Sequence, residues 1–229
     1  MQVQKRLELL KKIYNIHDGF ALRAQTSCQK GCSACCTCNV TATTMEGLLI
    51  YDYLVSQGWV GRLRRMVASA PPSRFRPKVT INQMVALCVE GEDFPEEAND
   101  PSAGICPLLD DDICSLYPVR PFGCRAMLSS SDCSMGGEAQ MPPFMLSVNN
   151  VIMQYIEAID LPGGTGNLID VLSVLSVDAL RKAYLGGQDL GGSQGLLINR
   201  AFPVLMIPPE HRQSIGLLVQ SLNAAVQSF

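Results

Sequence analysis

Apolar positions recur at helical spacing through most of the chain. Val3, Leu7, Leu10, Tyr14 and His17 return every three or four residues, while Lys5, Glu8, Lys11 and Lys12 fall on other faces. This pattern predicts an amphipathic helix over residues 3–17. His17 stands at its polar end, where a protonatable ring suits the negative helix terminus; no partner at ligand spacing marks it as a metal ligand. Thr43-Thr44-Met45-Glu46 and Thr80-Ile81-Asn82-Gln83 both match capping boxes, so a helix is expected to start at each. The first runs through Leu48, Leu49, Tyr51 and Leu54 to a stop at Gly58, and the second through Met84–Val89 with Cys88 as a small core residue. Gly61 to Ala70 reads as a short helix whose Arg62, Arg64 and Arg65 form a solvated face. Further helices are predicted over Leu146–Ile159, Asn167–Leu175 and Ser176–Leu185, the last opened by a Ser176 N-cap. Pro208-Pro209-Glu210 begins a final amphipathic helix, with His211 solvated in its first turn.

The connecting segments are informative too. Residues 91–105 are acidic and turn-rich, and read as a loop. Cys106 to Cys114 reads as two short extended arms joined by an Asp110-Asp111-Asp112 turn, since adjacent carboxylates point in different directions and lack EF-hand spacing. Gly186 to Gly195 lacks the Lys-Ser/Thr ending of a phosphate-binding loop and reads as a flexible connection. The expected class is mainly α: helices around a loop-rich, cysteine-ligated metal-cluster lobe with little strand, plus a C-terminal helical lobe. Cysteine usage ends at Cys133, which divides the chain into residues 1–135 and 143–229, with one continuous domain as the alternative.

Composition narrows the partners. Hydrophobic residues make up 47% of the chain and charged residues 17%, which is the make-up of a packed protein and not of a disordered one. A formal net charge of −3 supplies no positive field for nucleic acid or an anionic membrane. The first residues lack the apolar stretch of a secretory signal, so a cytoplasmic location is expected. No uninterrupted apolar run reaches the roughly 18–20 residues that span a bilayer. No Ser-His-Asp, Gly-x-Ser-x-Gly or HExxH pattern assigns a reaction.

The chemistry gathers in the cysteines. Five of the ten fall between Cys28 and Cys38, and Cys106, Cys114, Cys124 and Cys133 follow in a Pro- and turn-rich segment. Ten cysteines in 229 residues lie well below the roughly 8–10% of a disulfide scaffold, and a cytosolic chain favours metal thiolate. In Cys28-x3-Cys32-x2-Cys35-Cys36, tight turns could aim several thiolates at one centre. Adjacent Cys35 and Cys36 diverge, so they are expected to serve different metals or to bridge. With two histidines in the chain, thiolate dominates, and that selects zinc, iron–sulfur clusters or copper(I). Eight cysteines would fill two four-thiolate centres. Arg120 and Arg125 flank Cys124, where guanidinium charge would offset a thiolate centre of about −2, making both candidate cofactor-binding residues.

Cys32-x2-Cys35-Cys36, Cys106-Pro107-Leu108-Leu109 and Cys114-x2-Tyr117-x2-Arg120-Pro121-x2-Cys124-Arg125 together resemble the YkgJ-type cysteine-cluster family, a zinc- or iron-chelating domain also recognised in flagellin lysine N-methylases. The resemblance covers about residues 28–133. It implies a metal ligand set of Cys28, Cys32, Cys35, Cys36, Cys106, Cys114, Cys124 and Cys133, and leaves Cys38 and Cys88 without a role. The cofactor expected is an iron–sulfur cluster, above all of the 4Fe-4S type, or zinc, serving redox or electron transfer. The alternative is a structural zinc module whose lobe over 143–229 binds a protein partner. A methyltransferase ranks behind both, since no nucleotide-binding glycine motif supports it.

Overall fold

The computed structural model describes residues 2–24, 26–97, 104–133 and 139–229. Along the chain come α1 (Val3–Ala21), β1 (Thr41–Thr43), α2 (Thr44–Ser56), α3 (Val60–Ala68), α4 (Ile81–Glu90), β2 (Leu109–Asp110), β3 (Ile113–Cys114) and the single turn α5 (Phe122–Arg125). They are followed by α6 (Pro143–Ile159), β4 (Gly164–Asn167), α7 (Leu168–Ser176), α8 (Asp178–Leu185), β5 (Leu197–Ile198) and α9 (Arg212–Gln227). The protein is mainly α, as its periodicity predicts. Parts of two expected segments, 98–103 in the 91–105 loop and 134–138 beside the lobe boundary, lie outside the described residues.

α1 is the axis of the larger core. Leu7, Leu10, Ile13 and Tyr14 bury one face of it, against Val148, Val151 and Ile152 of α6 and Leu218 and Leu222 of α9. Full burial of each aliphatic side chain contributes roughly 1.5–3 kcal/mol. The helix runs four residues beyond the expected end, so His17 is no solvated terminus: it is fully buried, its Nε2 lies 3.0 Å from Asn149 Oδ1, and its ring meets Phe122 edge-on. α2 packs closely on α7 because Gly47 has no side chain; a Cβ there would stand 2.4 Å from Val171 Cγ1. A smaller core joins Ile50, Leu54, Leu63, Leu168 and Leu172 to Leu108 and Leu116 of the cysteine region.

The two expected lobes interleave. β1 pairs antiparallel with β4, Thr41 opposite Asn167 and Thr43 opposite Thr165, and β5 extends the sheet beyond β4. Residues before 135 and after 143 share the larger core. Both capping boxes form, with Thr43 and Glu46 opening α2 and Thr80 and Gln83 opening α4. The three-aspartate turn also forms. It joins β2 to β3, with Asp111 and Asp112 in the left-handed region at φ +46° and +63°, as both central positions of a tight hairpin turn with this twist require.

Three local expectations give way. Ser176 ends α7 instead of capping α8, whose N-cap is Val177 without a side-chain bond. Cys88 is exposed on α4, because the packed residues of that short helix are Asn82 and Val85. His211 is not solvated: its Nδ1 lies 2.8 Å from Ser147 Oγ and its ring meets Phe144 edge-on.

Three buried carboxylates staple this body. Glu46 accepts from the Thr43 amide at 2.8 Å, the Tyr14 hydroxyl at 2.7 Å and the Phe122 amide at 2.6 Å, and so ties α1, α2 and α5 together. Glu157 accepts from Thr80 Oγ1, the Asn82 amide and the Arg200 amide at 2.6, 2.9 and 2.8 Å. Asp160 accepts from the Met45 amide at 2.9 Å and the Tyr184 hydroxyl at 2.5 Å, with Arg6 at 3.9 Å. Burial pushes the Asp160 carboxyl up to about 7, against the opposing pull of these donors.

Candidate metal centre

Three segments far apart in sequence build one cavity. The first follows α1, where consecutive tight turns carry the thiols: the Cys32 amide donates to the Gln29 carbonyl at 3.1 Å and the Cys36 amide to the Ser33 carbonyl at 2.9 Å. The second segment pairs with the first, since the Cys38 amide donates to the Gly104 carbonyl and the Cys106 amide to the Cys36 carbonyl, both at 3.0 Å. A bridge between Thr37 and Ile105 continues that pairing. The β2–β3 hairpin then brings Cys114 opposite Leu109, and Ser33 Oγ donates to Asp112 across to its turn at 3.2 Å. The third segment is α5 with Cys124. Its N-terminal amide is held by Glu46, and Gly123 lets it lie against β1, for a Cβ there would stand 2.9 Å from the Thr41 carbonyl oxygen.

The result is a cavity of about 200 Å³ lined by Cys28, Cys32, Cys35, Cys36, Cys106, Cys114 and Cys124. The eighth predicted ligand, Cys133, is not on the lining but lies near Cys28, whose thiol it influences electrostatically. Lys30, Arg120 and Arg125 border the cavity, and no Asp or Glu is among the lining residues. Leu108, Leu116, Leu128 and Leu168 supply apolar wall. Among the described residues, no three Cys, His, Asp or Glu side chains converge closely enough to hold a single ion as they stand. The thiols surround a space; they do not meet at a point.

Burial and neighbours set the thiol chemistry. The Cys36 thiol is hydrogen-bonded to Cys35, which holds Cys35 down at about 6 and pushes Cys36 up. Burial pushes Cys106 and Cys124 up, so these thiols stay protonated until a cation compensates the thiolate. Arg120 acts in the other direction on both Cys35 and Cys124.

The two arginines differ. Arg125 Nη1 donates to Asp18 at 2.9 Å, its Nε and Nη2 donate to the Arg120 and Pro118 carbonyls at 3.0 and 3.3 Å, and its guanidinium lies over Tyr14. It pegs the motif to α1. The Arg120 guanidinium stacks on Tyr117 at 4.1 Å, and its buried Nε has no hydrogen-bond acceptor among the described residues. Lys30 Nζ stands 5.7 Å from the same ring.

Several residues that shape the site escaped sequence reasoning: Asp18, Tyr14, Ser33 and Ser129. Glu46 was legible as half of a capping box, but its second oxygen's service to α5 was not. Cys38 is buried behind the lining, where it influences Cys106, and exposed Cys88 is not on it. No protein-family model, curated protein or solved structure matches the chain. No helix among the described residues is long and apolar enough to cross a membrane.

Proposed function

We propose that this chain is a cysteine-cluster metalloprotein of the YkgJ type, binding an iron–sulfur cluster and serving redox or electron transfer. One observation carries the reading. Seven cysteines drawn from Cys28 to Cys124 line a single cavity that has no carboxylate on its wall and is bordered by Arg120, whose buried Nε has no acceptor among the described residues. An all-thiolate lining suits soft metals. Cys28, Cys32, Cys35, Cys36, Cys106, Cys114, Cys124 and Cys133 would hold the metal. When bound, an iron–sulfur cluster supplies one-electron exchange. The chain's own part is to exclude water with Leu108, Leu116 and Leu168, and to offset thiolate charge with Arg120.

Anaerobic purification of the full chain tests this. The expected product is brown, contains iron and acid-labile sulfide, and bleaches on reduction. A colourless protein holding zinc without sulfide would overturn the cluster and leave a structural zinc module.

A further inference from the structure

We infer that the cavity is divided between two centres with separate ligand sets: an outer one held by Cys28, Cys32, Cys35 and Cys133, and an inner one held by Cys36, Cys106, Cys114 and Cys124. The inference rests on the metal-binding reading above and goes beyond it by assigning each thiol to a centre.

The backbone draws the dividing line. On the outer side, the Ser27 amide donates to the Ser129 carbonyl at 2.8 Å, and the Ser129 amide donates to Cys28 Sγ at 3.2 Å. The same stretch holds Cys133, whose Sγ lies 3.7 Å from the Ser131 carbonyl. Cys28 and Cys133 thus sit on the two sides of one joint, though 105 positions separate them. On the inner side, Cys106 is bonded through its amide to the Cys36 carbonyl, and the Leu109 amide turns back to the Cys106 carbonyl at 3.2 Å. That turn starts the hairpin that carries Cys114. Cys106 and Cys114 pack against the smaller apolar core, and α5 brings Cys124 against β1.

Exposure follows the same line. Cys28, Cys32 and Cys35 are exposed, whereas Cys36, Cys106, Cys114 and Cys124 are half-buried. Cys133 is half-buried too, but it stands with the outer joint. The thiols of Cys35 and Cys36 meet at the dividing line; exposed Cys35 goes with Cys28 and Cys32, and Cys36, whose carbonyl accepts from the Cys106 amide, goes with Cys106. Arg120, stacked on Tyr117, lines the cavity that both sets border. Four thiolates are the complement of one zinc ion or one four-iron cluster, so each set is complete in itself.

The test compares iron, zinc and acid-labile sulfide per chain in the anaerobically purified wild type and in two double variants, C28S/C133S and C106S/C114S. C28S/C133S should fold and retain one centre: about half the metal if the two centres are alike, or one element of two if they differ. C106S/C114S should lose the inner complement. Because that variant could unfold, a second measurement uses the wild type alone. Chelation with EDTA and bipyridyl should remove metal in two phases, and alkylation after the first phase should label Cys28, Cys32, Cys35 and Cys133 ahead of the other four. Loss of all metal from a folded C28S/C133S variant, retention of all of it, or single-phase chelation that frees all eight thiols together would overturn the division. A wild type without metal would instead overturn the metal reading, and the division with it.

Discussion

The buried carboxylates of the helical body and the thiol cavity beside them are both polar interiors, and they are finished differently. Glu46, Glu157 and Asp160 each accept hydrogen bonds from at least two protein donors, some from elements more than 70 residues away. In the cavity, burial pushes the Cys106 and Cys124 thiols up, and Arg120 Nε is buried without an acceptor among the described residues. A buried polar group left unpaired costs roughly 1–3 kcal/mol, so most such groups in a folded protein are paired. Where this chain completes its own network it builds scaffold. The scaffold is not free of unpaired atoms, since Arg6 Nε, His17 Nδ1 and Asn82 Oδ1 are also buried without a hydrogen-bond partner among the described residues; the cavity differs in gathering thiols and cationic side chains with no carboxylate on its wall.

The comparison can be broken most severely on the scaffold side. Glu46→Ala would leave Tyr14 Oη and the Thr43 and Phe122 amides without their acceptor, and should cost about 3–5 kcal/mol in urea unfolding. It should also lower metal uptake, because the Phe122 amide anchors the turn that carries Cys124. Wild-type stability with normal uptake would show that these bonds are dispensable.

Asp160 gives the next effect, read against pH. Its carboxyl is raised from 3.8 to about 7 in the fold, so between those values the native state binds more protons than the unfolded chain. The stabilisation is fully present below about pH 4 and is lost as pH rises through about 7, amounting to a few kcal/mol. Asp160→Asn should flatten that part of the stability profile measured by urea unfolding at a series of pH values. An unchanged slope would mean that the donors around Asp160 keep it ionised.

The smallest effect separates the two arginines. Arg125→Gln should cost about 1–2 kcal/mol, since it loses Asp18 and two carbonyl contacts at a partly exposed site. Arg120→Gln should leave stability within about 0.5 kcal/mol and reduce metal occupancy after purification. Equal effects of the two changes on both readouts would erase the distinction between peg and cavity cation.

Much of the local structure was legible because its determinants lie within a few residues of one another. The period of α1, the two capping boxes and the aspartate turn are each fixed by contacts three or four positions apart. Spacing also gathers Cys32, Cys35 and Cys36 through turns of two or three residues, whereas Cys106, Cys114 and Cys124 join them in the cavity only through the fold. The packing of α6 and α9 against α1 decided that His17 is a core residue and that His211 has a partner in Ser147. Pairing of β1 with β4, Thr41 opposite Asn167, and a shared core join segments from both sides of the expected boundary. Likewise, the sequence places Arg120 and Arg125 alike beside Cys124, and only the arrival of Asp18 and Tyr14 from α1 turns one of them into a structural peg. Residue types and short spacings determined which side chains, above all the thiols, gather in this protein. Which of these groups are paired, and with what, was decided by tertiary structure, because a partner supplied from a hundred residues away leaves no mark in the local pattern.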